Sequence, residues 1–532
     1  MFKPSGLVTG LRLAALGGAL LLGACGGGGG GDSNSASNSS SSTTTSSPST
    51  ATPTPTPTAN ACPSGTPVTA TPGGSTAHFT IVSHPVCATG GKVFGLAANF
   101  FDDRFVPAAP VSNYGFPNPL IQYVNPDGSL DIAWLDYTAG GAVPSASGLA
   151  ALAHVFITHV SADLSTSTTT DTGIQTYRLL GFTRDAAGNY YLAFNVDSTF
   201  KSSVSGNANN VNGNEFHVAR SATASFASPV WNTTVFGNND NTTKDSPGNP
   251  GEAGSGVLGF DAVNGYVVAY VSHLMAWDIN GTRHQAGILR LLNTSTGAVQ
   301  TPTGLSNIWE AGSGWFYSHN FDQRLIIDNG TYYTLAHGDA YSRQLGFSAF
   351  TPTSYQNFTA TTFDQSYWTI PGTQGDNTTN AQTGQFIKLA NGSFAITHTT
   401  SDTRTARDVR LVIANGSTAQ NAGVTTNSIW LTANTGTTQA VTPKIAQLAS
   451  NFLVTWGTWD SSSRTNHTIK WYAQLVDQNL NPLNTPTALS GVEFVAGLPL
   501  FTFPAGPNQG AVGWVSGNAG GSITVNVVQV SP

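Results

Sequence analysis

The chain predicts an all-β protein assembled from seven copies of one hairpin-led unit. Three observations predict it. Apolar residues alternate with polar ones in short runs broken by Gly, Asn and Asp, which is the period of half-buried strands. No segment carries a sustained 3.6-residue apolar period with helix caps. And seven turn signals, at Gly128, Gly188, Gly265, Gly330, Gly392, Asn451 and Gly510, follow one another at spacings of 60, 77, 65, 62, 59 and 59 residues.

Each turn sits in the same context. The units read LIQYVNPDGSLDIAWLD, RLLGFTRDAAGNYYLAFNVD, GVLGFDAVNGYVVAYVSH, FDQRLIIDNGTYYTLAHGD, GQFIKLANGSFAITHTTSD, PKIAQLASNFLVTWGTWD and LPLFTFPAGPNQGAVGWVSG. An apolar strand, a tight turn and a second apolar strand are followed by a longer Ser/Thr/Asn-rich stretch with further strand. A four-stranded blade of roughly 40–50 residues plus loops fits that repeat. The units therefore read as a seven-bladed β-propeller; a pair of β-sandwiches fits the near-uniform spacing less well. HFTIVSH, ahead of the first unit, is the candidate strand that closes the ring with the last blade.

Composition narrows the function classes. The 532 residues carry 20 Lys+Arg against 27 Asp+Glu, a formal net charge of −7. No basic stripe is present, so nucleic acid is not an expected partner. No P-loop, dinucleotide, G-x-S-x-G or H-E-x-x-H pattern occurs.

The chain start carries different information. Lys3 and Arg12 precede the apolar run Leu13–Leu22, too short to span a bilayer as a helix of about 20 residues, and then LGAC, Leu22–Cys25. A basic n-region, short apolar h-region and small residues make an export signal. LGAC resembles the lipobox of bacterial lipoproteins. The resemblance implies a signal peptide over 1–24 and a lipidated Cys25 as mature N-terminus, with the acyl chains as the membrane partner. Gly26 after the cysteine is similar to the outer-membrane sorting pattern, so the implied location is the cell envelope, on either face of the outer membrane. Residues 25–61, rich in Gly, Ser, Thr and Pro, read as a disordered tether that cannot bury enough surface to offset chain entropy. The propeller is expected over 62–532. In an exported protein the two remaining cysteines, Cys62 and Cys87, are the expected disulfide.

Candidate site residues come from aligning the units. The second strands end in Asp136, Asp197, His273, His337 with Asp339, His398 with Asp402, Asp460 and Asn518, which would ring one mouth of the channel. Three successive units contribute His in a chain with 11. Taking Asn329-Gly330 as a type I′ turn pairs Asp328 with Thr331, Arg324 with Leu335 and Asp322 with His337, placing Asn320, Asp322, Arg324, His337 and Asp339 on one face. Arg343 lies just beyond. Three readings follow: Asp–Arg and Asp–His pairs that knit blades; a ligand rim at Asp322, Arg324, His337, Asp339, Arg343, His273 and His398, with Trp456 and Trp459 among the stacking aromatics; or a catalytic set. The last resembles the His/Tyr/Arg constellations of some propeller polysaccharide lyases. No cofactor is expected, although three neutral imidazoles suit a divalent metal. In NPDGSLD, Asn125–Asp131, a hairpin turn explains the pattern without calcium. The expectation is an envelope lipoprotein whose head binds a polysaccharide, small metabolite or protein; the alternatives are a surface-attached lyase or hydrolase, and a scaffold.

Overall fold

The computed structural model describes residues 60–63, 68–70, 79–86, 120–136, 153–176, 179–196, 215–236, 256–274, 285–300, 320–338, 344–353, 367–369, 382–401, 404–415, 425–462, 469–495, 497–517 and 523–530. Among these residues every regular element is a strand, and the strands form seven antiparallel sheets. The signal segment, the tether, Cys25 and Cys87 lie outside them.

The sheets are the blades of a propeller, named here in chain order, each strand series running outward from the first. Blade 1 is Leu120–Val124, Leu130–Asp136, Ala153–Val160 and Thr166–Thr176. Blade 2 is Leu179–Arg184, Tyr190–Val196, Glu215–Ser221 and Trp231–Phe236. Blade 3 is Gly256–Asp261, Tyr266–Leu274, Gln285–Asn293 and Val299–Gln300. Blade 4 is Asn320–Asp328, Thr331–Gly338, Gln344–Phe350 and Tyr367–Thr369. Blade 5 is Gln382–Lys388, Ser393–Thr400, Asp408–Asn415 and Thr425–Trp430. Blade 6 is Thr438–Leu448, Asn451–Asp460, Lys470–Asp477 and Thr487–Leu489. Blade 7 is Phe501–Thr502, Val512–Gly517 and Ile523–Val530, completed from the chain start by Phe79–Val86 and Val68–Ala70. Asn60–Pro63, which carries Cys62, adds to the outer edge of blade 1 through the Cys62–Ser167 pairing.

The ring closes as HFTIVSH predicts: Phe79 pairs with Val530 and Val86 with Ile523. Burial follows the same plan. Seven apolar clusters occupy the seven blade interfaces, including the closing one, where Leu120, Ile132 and Trp134 of blade 1 meet Val515, Val525 and Val527 of blade 7. Alternating strand residues serve the two neighbours: Phe394 and Ile396 of blade 5 pack on blade 4, and Ala395 on blade 6. Each blade is apolar on both faces because both are covered.

The hairpin turns join first and second strands at one end of the ring. Gly128, Gly188, Gly265, Gly330, Gly392 and Gly510 all have positive φ, a conformation glycine adopts without steric cost. Asn329 (φ 47°) and Gly330 (φ 76°) form the predicted I′ turn. The blade 6 turn differs from expectation: Leu448 pairs with Asn451, so Ala449-Ser450 make the turn and Asn451 opens the second strand.

The first strands of neighbouring blades pack side by side around the channel. Four of them, in blades 2, 4, 5 and 6, carry one extra residue against their partner strand: Leu179/Gly181, Phe321/Arg324, Thr383/Phe386 and Val441/Lys444. These β-bulges re-aim the inner strand midway along the channel.

Candidate functional site

The bulge in blade 4 changes the predicted face. Asp328 pairs with Thr331 and Arg324 with Leu335, as expected, but His337 pairs with Phe321 and Gly338 with Asn320. One inserted residue reverses the parity of everything beyond it, so Asp322 falls in the bulge and not opposite His337. His273 pairs with Ala286 in blade 3. The side chains of Asp322, His337 and His273, all of Asp339 and Arg343, and the strand-end residues Asp197, Asp402 and Asn518 lie outside the described residues. Trp456 and Trp459 are 1% and 3% exposed; they are core residues, because strand alternation turns them into blade interfaces, and offer no stacking face.

Arg324 does reach the channel. It lines a cavity of about 400 Å³ with Ile121, Gln122 and Tyr123 of blade 1, Phe182 and Thr183 of blade 2, Val257 and Leu258 of blade 3, Gln323, Leu325 and Ile326 of blade 4, Gln385, Phe386 and Ile387 of blade 5, and 497–499. Its guanidinium donates from Nε to the Gly384 carbonyl at 3.1 Å and from Nη1 to the Gln323 carbonyl at 3.1 Å. Two contacts to rigid backbone fix the direction of the fork. The walls are chiefly apolar, with a cation and three amides set among them, the usual make-up of a small-molecule site.

One wall is a strap, 497–500, which with Val495 lies between blades 6 and 7. Three side chains from three blades hold it. Lys444, 4% exposed, donates its ammonium to the Val495 and Leu498 carbonyls at 2.8 and 2.5 Å. Gln385 donates to the Leu500 carbonyl and accepts from the Leu500 N–H, both at 2.9 Å. Gln122 donates to the Pro499 carbonyl at 2.6 Å and accepts from the Val515 N–H at 3.1 Å. These amides and Lys444 escaped the sequence reading. Gln recurs at the bulge as DQR and TGQF, a signal visible only once the bulges align.

Knitting pairs are present, at the hairpin-turn end. Arg184 of blade 2 donates to Asp131 of blade 1 at 2.5 Å, Tyr332 of blade 4 donates to Asp261 of blade 3 at 2.6 Å, and Lys388 of blade 5 pairs with Asp328 of blade 4. Asp131 is wholly buried and also accepts from Asn125 and meets His159 Nδ1 at 3.0 Å. Burial alone would raise its carboxyl; the hydrogen bonds of His159 and Asn125 and the charge of Arg184 outweigh that and hold it below the ordinary range. NPDGSLD forms the expected turn, with Asp127 accepting from the Ser129 N–H at 2.9 Å and hydroxyl at 2.6 Å.

His398 lies on blade 5 opposite Thr383 and Arg410, 0% exposed. Neither ring nitrogen has a hydrogen-bond partner among the described residues. Burial, then the Arg410 charge, drives its pKa down to about 3, so the imidazole is neutral at physiological pH. Among the described residues no group of three or more His, Cys, Asp or Glu gathers as a metal-holding set.

Arg404, Arg407 and Arg410 fall within seven residues of a chain with 20 Lys+Arg, a density that could have flagged the segment. Arg404 stacks 4.2 Å over the Trp430 ring and pairs with the buried Asp408 at 3.1 Å; Arg410 lies 5.1 Å from the same ring.

No family model matches the chain, and no curated protein matches it. Among solved structures, an ulvan lyase of polysaccharide lyase family PL25 bound to -[GlcA(1-4)Rha3S]- is similar at 13% identity over 79% of this chain and 91% of that one, with a TM-score of 0.41. An oligogalacturonate lyase in complex with manganese is similar at 10% identity over 88% and 97%, TM-score 0.39. The NanB sialidase from Streptococcus pneumoniae is similar at 11% identity over 79% and 69%, TM-score 0.33. Likeness at this level carries no argument about the site, whose chemistry is read from this chain's own residues.

Proposed function

We propose that this protein is an exported, lipid-anchored envelope protein whose propeller head binds a small carboxylate-bearing ligand in its central channel. The observation that carries the reading is the cavity of about 400 Å³ with the Arg324 fork held in its wall. A guanidinium fork matches a carboxylate with two parallel hydrogen bonds, and Gln122, Gln323 and Gln385 supply amide groups for orientation. The apolar remainder takes the body of the ligand. Anchoring is supported by LGAC at Leu22–Cys25, with the leash over 25–61 and a Cys62–Cys87 disulfide as parts of the same proposal. Metabolic labelling with an alkyne fatty acid, lost in Cys25→Ser, tests the anchor.

The channel reading is tested by thermal shift of the soluble head against a panel of small carboxylates and their amides. A ligand that binds only the native state raises the midpoint by mass action. Preference for the acid over its amide, abolished in Arg324→Met, supports the proposal. Equal response in Arg324→Met removes Arg324 from it. Chemical turnover of a bound ligand moves the reading to the enzyme alternative.

A further inference from the structure

The channel cavity is polar at one level and apolar at another. First strands run from the far mouth to the hairpin turns, so position along them reads as depth. In blades 4 and 5, Gln323 and Gln385 lie at matching places, each in its bulge, and Arg324 follows Gln323. Gln122 of blade 1 joins that level, since it and Gln385 hold the same strap at Pro499 and Leu500. Towards the turns the lining changes. Leu325 and Ile326 follow in blade 4, Phe386 and Ile387 in blade 5. Tyr123 and Phe182 face them from blades 1 and 2, their rings in edge contact at 6.4 Å between centroids.

The polar groups are few and mostly engaged. Gln385 accepts from the Leu500 N–H at 2.9 Å and the Ile445 N–H at 3.3 Å and donates to the Leu500 carbonyl at 2.9 Å, which leaves one amide N–H. Gln122 has given one N–H to Pro499 and one lone pair to Val515. Gln323 is 2% exposed. Nearer the turns the side-chain polar groups of the wall are the hydroxyls of Tyr123 and Thr183. The inner-strand edges add backbone N–H and C=O groups, yet the wall stays chiefly apolar. A sugar acid carries a hydroxyl on most of its ring carbons. Each one taken out of water unpaired weakens binding by about fivefold or more. Hydrocarbon meets no such penalty and gains by leaving water.

We infer that the channel ligand is an amphiphilic hydrocarbon acid, its carboxylate at the level of the amides and its alkyl or aryl body running towards the hairpin turns. The carboxylate end rests on the Arg324 reading above. The hydrocarbon body rests on the wall beneath that level and stands without it.

The test is calorimetric titration of the full chain with butanoate, hexanoate, octanoate, octanamide and glucuronate. Affinity rises about two- to fourfold with each added CH2. Glucuronate, with as many carbons as hexanoate, binds at least about tenfold more weakly than it. Ile326→Thr and Ile387→Thr each lower octanoate affinity about fivefold and leave butanoate within about twofold. The two lie on different blades, so one remains informative where the other fails to fold. Octanamide binding as tightly as octanoate supports the hydrocarbon body and removes the carboxylate reading. Glucuronate binding as tightly as hexanoate, with octanamide weaker than octanoate, overturns this inference and leaves the carboxylate reading standing. Affinity independent of chain length, or a chain-length gain unchanged in both Ile variants, also overturns it. No binding of any of these compounds overturns both.

Discussion

Asp131 in blade 1 and His398 in blade 5 are both fully buried, both titratable and both on second strands, yet they are treated in opposite ways. Asp131 is enclosed by Arg184, Asn125 and His159. His398 has a cation on the neighbouring strand and no hydrogen bond among the described residues. The first sits towards the hairpin turns and bridges two blades. The second sits towards the opposite mouth and bridges nothing within the described residues. Polar burial at the turn end is therefore spent on holding the ring together, while His398, towards the mouth, is buried without a hydrogen bond among the described residues.

The sharpest way to break this contrast is to remove the partner of Asp131. Arg184→Met leaves a buried carboxylate without its counter-charge, a change that costs about 3–5 kcal/mol. Arg184 is partly exposed and Asn125 and His159 remain, so the lower end is expected. Chemical denaturation should show it as a lower midpoint with an unchanged slope. If Arg184→Met is as stable as the parent, the pair is not what joins blades 1 and 2.

Gln385 comes next. Its amide holds both backbone groups of Leu500 and accepts from the Ile445 N–H at 3.3 Å. Gln385→Leu strands those groups in a buried setting, at about 1–3 kcal/mol. Its signature is local: hydrogen exchange should accelerate at 497–500 before elsewhere. Uniform acceleration would mean the strap is not an independent element.

His398 predicts the reverse. His398→Leu deletes an unsatisfied group and keeps the volume, so the change at neutral pH is within about 1 kcal/mol of zero. The pH dependence carries the stronger sign. Its folded pKa is depressed to about 3, below the unfolded value, so between those limits the unfolded chain holds the extra proton. Stability from this group falls as pH drops, by about 1.4 kcal/mol per unit. His398→Leu should flatten the acid limb between roughly pH 6 and pH 3. An acid limb identical in the two proteins would show that the imidazole is not sealed from water.

These two regions were not equally legible in the sequence. The turns, the ring closure and the seven-unit count depend on local rules: positive φ demands Gly or Asn, and strands alternate. Asp131 and Arg184 are 53 residues apart, and nothing local joins them. The polar face of blade 4 failed for a different reason. NFDQRLIID alternates acceptably in either register, so one bulged residue moves Asp322 away from His337 without disturbing the pattern. Arg324 survived because it lies on the turn side of the bulge. The burial of His398 was not legible either, because Thr383 and Arg410 come to it from two other strands.

The smallest expected effect calibrates the turn end. Gly392 closes the blade 5 hairpin with φ +82°, and a Cβ there would meet nothing within 4 Å. Its N–H bonds the Leu389 carbonyl at 2.9 Å, and the Leu389 N–H bonds the Ser393 carbonyl at 2.8 Å. Gly392→Ala therefore tests backbone conformation without any clash, and about 1 kcal/mol is expected from placing an L-residue in the left-handed region. The same change at Gly128 adds a contact: its Cβ would lie 2.2 Å from the Ala505 carbonyl oxygen of the blade 7 hairpin. The excess loss at Gly128 over Gly392, read from paired thermal melts, isolates what close packing between the first and last hairpins contributes to ring closure. Equal losses would mean that the hairpin tips move apart freely, and that closure rests on the strand pairing of Phe79–Val86 and on the apolar interface between blades 7 and 1.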